Sequence, residues 1–212
     1  MESNSEDWVR WQQKVTDFTP WYSWVVDWNK KASPGKEYSS EDIENQWKLV
    51  KEEQKELFEA FDNRDSSAFY KELCDLFVVS SFFSYLVKPE LKPQTVYSEY
   101  ITQMMSNLED HEERFDRSTY FSEVMILMNS VDVNTLSRTM GAVLRSNDTK
   151  FFEWQYQDIE IAYALKVHGG RYDGIHVKRT VDGLATLRDG NNKILKPSTY
   201  KPYIEFLGWT ND

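Results

Sequence analysis

Residues 69–79 read Phe69-Tyr70-Lys71-Glu72-Leu73-Cys74-Asp75-Leu76-Phe77-Val78-Val79, a nearly unbroken apolar run with two acids set into it. The pattern predicts a helix from Ser67 to about Val87, stopped ahead of Pro89 and Pro93. Its flanks leave no wet face for Asp75 once the helix packs, and Glu72 lies three residues earlier on the same face. The preceding helix carries the same anomaly. Ser39-Ser40-Glu41-Asp42 supplies hydroxyl caps and acidic first-turn residues, which predicts a helix running to about Phe61. Its apolar stripe is Leu49, Val50, Leu57, Ala60 and Phe61. Glu53 falls on that stripe and Glu56 on the same side, whereas Glu52, Lys55 and Glu59 point outward. The short turn Asn63-Arg64-Asp65-Ser66 joins the two helices, with Asp65 or Ser66 as the second N-cap.

Burying ionised carboxylates without a partner is strongly unfavourable, and four of them would repel one another. No Arg or Lys lies on these stripes at matching spacing, so the expected neutraliser is a divalent cation. Oxygen ligands without Cys or His select Mg²⁺, with Mn²⁺ able to substitute. Two antiparallel helices each offering an acid pair at i, i+3 would converge on one metal cluster inside a helical bundle. The plain alternative is a set of ordinary helix-surface charges.

Outward from this hairpin the chain reads as mainly α. Residues 1–38 form an aromatic-rich segment in which Trp8, Trp11, Trp21, Trp24 and Trp28 recur mostly at helical spacing, with an interruption expected at Pro20. Such a stripe is core or self-association surface, or alternatively a base-stacking face. Further helices are expected over 95–114, 118–129, 132–145 and 152–166, completing an all-α bundle over 39–167. The period changes at His168-Gly169-Gly170. Residues 168–212 then read as a small β appendage of two or three strands, with Asp182-Gly183 and Asp189-Gly190 as turns.

The 212 residues carry a formal net charge of −10, which repels a nucleic-acid backbone, and no basic stripe overrides it. Neither a signal pattern nor an apolar stretch of spanning length is present, so no membrane partner is expected. Cys74 is the only cysteine. It reads as a small core residue, and the absence of any internal disulfide fits a reducing cytoplasm. The phosphate-binding GxxxxGK[ST] pattern is absent.

Glu52-Glu53-x-x-Glu56, a gap of 15 residues, then Glu72-x-x-Asp75 resembles the signature of the MazG-like all-α nucleoside triphosphate pyrophosphohydrolases, a superfamily that includes dimeric dUTPases and phosphoribosyl-ATP pyrophosphohydrolase. Gln46, seven residues before Glu53, fits the start of that motif. Ser146-Asn147-Asp148-Thr149-Lys150-Phe151 is similar to a segment of phage-type MazG-like proteins, and Leu187-Arg188-Asp189-Gly190 with 193–200 looks like their short β tail. Residues 41–80 carry the resemblance well and 130–202 more loosely. It implies a Mg²⁺-dependent hydrolysis of a nucleoside triphosphate, a deoxynucleotide by preference, to monophosphate and pyrophosphate. Glu53, Glu56, Glu72 and Asp75 would hold the metal. Glu53 or Glu56 would accept the water proton, Asn147 would bond the nucleotide, and Lys150 would pair with phosphate. By the same resemblance the protein is a homodimer or homotetramer, in the host cytoplasm if of bacteriophage origin. Relatives often carry Asn about two turns after the aspartate, where this chain has Ser80 and Ser81. Two alternatives stand beside this reading: hydrolysis of an alarmone-type or other unusual nucleotide, and a non-catalytic bundle that binds nucleotide or protein.

Overall fold

In the computed structural model, described over residues 17–90, 105, 106, 108, 117–168 and 170–198, the protein is mainly α-helical with a small three-stranded antiparallel sheet. The chain divides into two compact units, Met1–Val25 with Tyr38–Ser137, and Val26–Glu37 with Arg138–Asp212. Among the described residues no helix is long and apolar enough to cross a membrane. Trp8, Trp11, Thr199 and Tyr200 and most of the helix expected over 95–114 lie outside the described residues.

Helix α1, Thr19–Ala32, starts where the sequence reading expected an interruption. Pro20 stands in its first turn, where a missing N–H removes no helical hydrogen bond, and Asp17 Oδ1 accepts from Thr19 N at 2.9 Å. The first unit is organised by α2, Ser40–Asp62, and α3, Ser66–Val87. Ser39 and Asp42 form a reciprocal cap at the start of α2, each side chain accepting from the other's backbone N–H. Asp65 caps α3 by accepting from Ala68 N at 2.9 Å. Between them Arg64 adopts the left-handed φ of 57°, the conformation that ends many helices.

Trp47 against Phe83, 4.9 Å between ring centres, and Phe61 against Phe69, 6.0 Å, mark the two ends of the α2–α3 contact. The helices are therefore antiparallel, and Gln46 Nε2 donates across to Val79 O at 2.9 Å. Leu57 of α2 and Leu73, Leu76 and Phe77 of α3 are fully buried, each such burial contributing roughly 1.5–3 kcal/mol. Helix α4, Tyr120–Asn129, follows a 3₁₀ turn at Arg117–Thr119 and packs on α3. Phe77 touches Phe121 and Phe18 through their rings, and the half-buried Trp21 stacks on Phe18, so this part of the tryptophan stripe packs against the core. Cys74 is buried, as expected of a core thiol.

Helix α5, Val133–Asp148, begins at the Asp132 cap, whose Oδ2 accepts from Thr135 N at 2.7 Å. It extends a turn beyond the expected end. The second unit contains β1, Phe151–Glu153, a 3₁₀ turn at Trp154–Tyr156, helix α6, Gln157–His168, and strands β2, His176–Arg179, and β3, Leu184–Arg188. The strand order is β1-β3-β2. Asp182-Gly183 makes the β2–β3 turn, both residues at positive φ, as that dipeptide predicts. The expected helix over 152–166 is corrected at its start. Phe151–Glu153 is a strand paired with 184–186, because that pairing buries Phe152 against Ala185, Leu187 and Leu195. Arg188 is also buried; its guanidinium donates to Thr186 Oγ1, Asn192 O, Ser33 Oγ and Ala32 O, the last residue of α1. A cation there suits the negative end of the helix dipole.

Candidate metal centre

The α2–α3 hairpin brings its acids together at mid-length. Counting inward from the two aromatic contacts sets Glu53 and Glu56 beside the turn of α3 that carries Glu72 and Asp75. Glu53, Glu56 and Glu72 each offer a carboxylate oxygen within 4.8 Å of the others. The depth of burial differs from the even inward set read from the sequence. Glu72 is buried at 9% exposure, Glu53 and Asp75 are half-buried, and Glu56 is exposed. A helix only spreads its faces by 100° per residue, so a pair at i, i+3 straddles a boundary instead of sharing one depth. Glu52, Lys55 and Glu59 are exposed, as expected.

The expectation that no lysine or arginine serves the cluster is overturned by Lys71. Its Nζ lies 2.7 Å from Glu72 Oε1 and 3.0 Å from Asp75 Oδ2. Lys71 precedes Asp75 by four residues, the spacing at which helix side chains meet, and its long flexible chain folds back to the adjacent Glu72 as well. The second Glu72 oxygen, Oε2, is buried without a hydrogen-bond partner.

The electrostatics follow from this crowding. Burial, then the charges of Asp75, Glu56 and Glu72, push the Glu53 carboxyl up to about 8 against the opposing pull of Lys71. Burial also raises Glu72, with Lys71 opposing through its hydrogen bond and charge. Lys71 is itself held well above the ordinary lysine value: burial works against its charge, but Asp75 and Glu72 together outweigh it. Among the described ion pairs, one ammonium thus meets two of the four carboxylates. An oxygen-only cluster of this kind, with an orphaned buried carboxylate oxygen, fits Mg²⁺ or Mn²⁺ in donor chemistry.

Behind the acids, Gln54 supplies a polar brace that the sequence reading missed. It is buried, donates to Leu108 O at 2.9 Å, and accepts from Tyr120 Oη at 3.2 Å and Lys51 Nζ at 3.1 Å. Its place one residue after Glu53, facing the apolar seam, is the only sequence signal for it.

Asn147 and Lys150 belong to the second unit. Asn147 is half-buried in the last turn of α5, and its carbonyl accepts from Lys150 N at 3.0 Å. Lys150 Nζ stands 5.9 Å from the centre of the Trp28 ring, which in turn meets Phe151 at 5.2 Å. Lys150 therefore sits in an aromatic setting. Ser80 and Ser81 are fully buried in α3, Ser80 Oγ donating to Phe77 O. Comparison with protein families, with curated proteins and with solved structures finds no match for this chain.

Proposed function

We propose that the protein is a Mg²⁺-dependent hydrolase that splits a nucleoside triphosphate, a deoxynucleotide by preference, into monophosphate and pyrophosphate at the α2–α3 acids. The observation that carries this reading is the convergence of Glu53, Glu56 and Glu72 within 4.8 Å beside a buried carboxylate oxygen that has no partner. The likeness of the Glu53–Asp75 motif to MazG-like pyrophosphohydrolases supports it.

In this reading Glu53, Glu56, Glu72 and Asp75 hold the cation. The bound metal would neutralise triphosphate charge and polarise the phosphoryl oxygens. Glu53 or Glu56 would take the proton of the water that attacks the α-phosphorus. Burial of Glu72 fixes its rotamer and so the depth of the site. Asn147 and Lys150 are proposed to contact the nucleotide and its phosphates.

The test is pyrophosphate release from a panel of ribo- and deoxynucleoside triphosphates with Mg²⁺, comparing wild type with Glu53→Gln. Turnover that the substitution removes supports the reading; no release from any triphosphate, with Mg²⁺ or Mn²⁺, sinks it. A second reading, a non-catalytic binding bundle, draws on Lys71, which already compensates part of the acid charge. It requires a folded protein with neither turnover nor metal affinity.

A further inference from the structure

Among the described residues Lys71 is a basic side chain in ion-pair contact with these acids, and the geometry makes its hold partial. It satisfies one oxygen of Glu72 and one of Asp75, leaving Glu72 Oε2 buried and unpartnered. Its side chain is 36% exposed, against 12% for Glu72, so the ammonium can leave toward water while Glu72 cannot follow. The pairing is also not of the most favourable geometry. Lysine ahead of the acid is the less favourable order for an i, i+4 pair, and the contact with the adjacent Glu72 needs the side chain bent back along the helix. A lysine rather than an arginine here gives a single hydrated point charge with no bidentate grip.

We propose that Lys71 is a displaceable counter-cation: it holds Glu72 and Asp75 in the metal-free protein, and a divalent cation binds by exchanging with it. The inference rests on the metal-site reading above and adds to it. It gives the crowded acids of the hairpin a counter-charge whenever no metal is bound, and it sets metal affinity below what the carboxylates alone would give. The lysine charge does not disappear on exchange. The freed ammonium stays tethered beside the acids, where it can meet an anion that the cation brings in.

The experiment is calorimetric titration of Mn²⁺ into wild type, Lys71→Met and Lys71→Gln. Loss of a half-buried ion pair from the competing state should tighten Mn²⁺ binding roughly five- to tenfold in both variants. The metal-free variants should melt below wild type, and the difference should shrink at saturating Mn²⁺. Equal or weaker Mn²⁺ affinity in the variants, with wild type binding, overturns the exchange while leaving the metal site standing. No Mn²⁺ binding by any of the three overturns both. A measurement on the wild type alone guards against unstable variants: acetylation of Lys71 Nζ by an amine-reactive ester, read by mass spectrometry, should rise several-fold when Mn²⁺ is added. Acetylation indifferent to Mn²⁺ overturns the proposal.

Discussion

Glu53 on α2 and Asp75 on α3 are close enough across the hairpin that, after burial, the Asp75 charge is the strongest influence raising the Glu53 carboxyl to about 8. The unfolded chain gives up that proton near the ordinary value of 4.5, whereas the folded protein keeps it to about 8. Between those values the folded state binds the extra proton, so metal-free stability falls as pH rises. Glu53→Gln, permanently neutral, should remove much of that slope. At the upper end it should gain on the order of 2–4 kcal/mol, and at the lower end little. Urea denaturation in chelator across the interval measures this, and an unchanged slope rejects it.

Divalent cations should raise the melting temperature. At about a hundredfold excess over the dissociation constant, linkage adds about 2.7 kcal/mol, or roughly 5–10 °C for a unit of this size. Glu72→Gln should abolish the shift, because it removes a buried ligand that cannot be replaced from solvent. Differential scanning calorimetry with Mg²⁺, Mn²⁺ and chelator decides; a Glu72→Gln protein that still responds would move the site elsewhere.

Gln54 should matter more than Tyr120 to the fold beneath the acids. Gln54→Leu takes the side-chain donor from the Leu108 carbonyl and the acceptor from Tyr120 and should cost about 2–3 kcal/mol. Tyr120→Phe leaves Lys51 still donating to Gln54 Oε1 and should cost about 1 kcal/mol. Chemical denaturation of the two variants gives the order directly, and the reverse order would refute the brace.

In the second unit Arg188 should be the costliest polar side chain to replace. Arg188→Met strips the donor from Ala32 O and Asn192 O and should destabilise by about 2–4 kcal/mol. Arg188→Lys should recover less than half, since one ammonium cannot reach acceptors spread around a planar fork. Hydrogen exchange of the β3 amides reports the loss; full rescue by lysine would show that charge alone suffices.

Capping and apolar periodicity made α2, α3 and the Asp182-Gly183 hairpin legible in the sequence, because those signals are local. Glu53 and Asp75 stand out for the same reason, as charges set among apolar residues, but it is Glu72, one turn before Asp75, that is buried while Asp75 is half-buried. What escaped was decided by partners distant in sequence or by side-chain reach. Phe151–Glu153 is a strand only because β3 lies alongside it, and nothing in its own pattern says so. Lys71 pairs with Asp75 at i, i+4, a local spacing that a reading confined to the apolar stripes passes over, whereas Gln54 is held by a carbonyl 54 residues away. Pro20 begins a helix instead of interrupting one, because a proline breaks a helix interior but suits a helix start, and the two are distinguished only by where the helix begins.

The tight turn at Asn63–Asp65 bears on the order in which the molecule assembles. All four acids and Lys71 belong to one helical hairpin, whose closure costs little chain entropy. The sheet of the second unit must instead bring β1 to β3 across the whole of α6 and β2. The hairpin is therefore expected among the earliest contacts, so charge repulsion is met on the way to the folded state as well as in it. Mn²⁺ present from the start should accelerate refolding besides slowing unfolding, and stopped-flow measurements in which it altered the unfolding rate alone would place hairpin closure after the rate-limiting step.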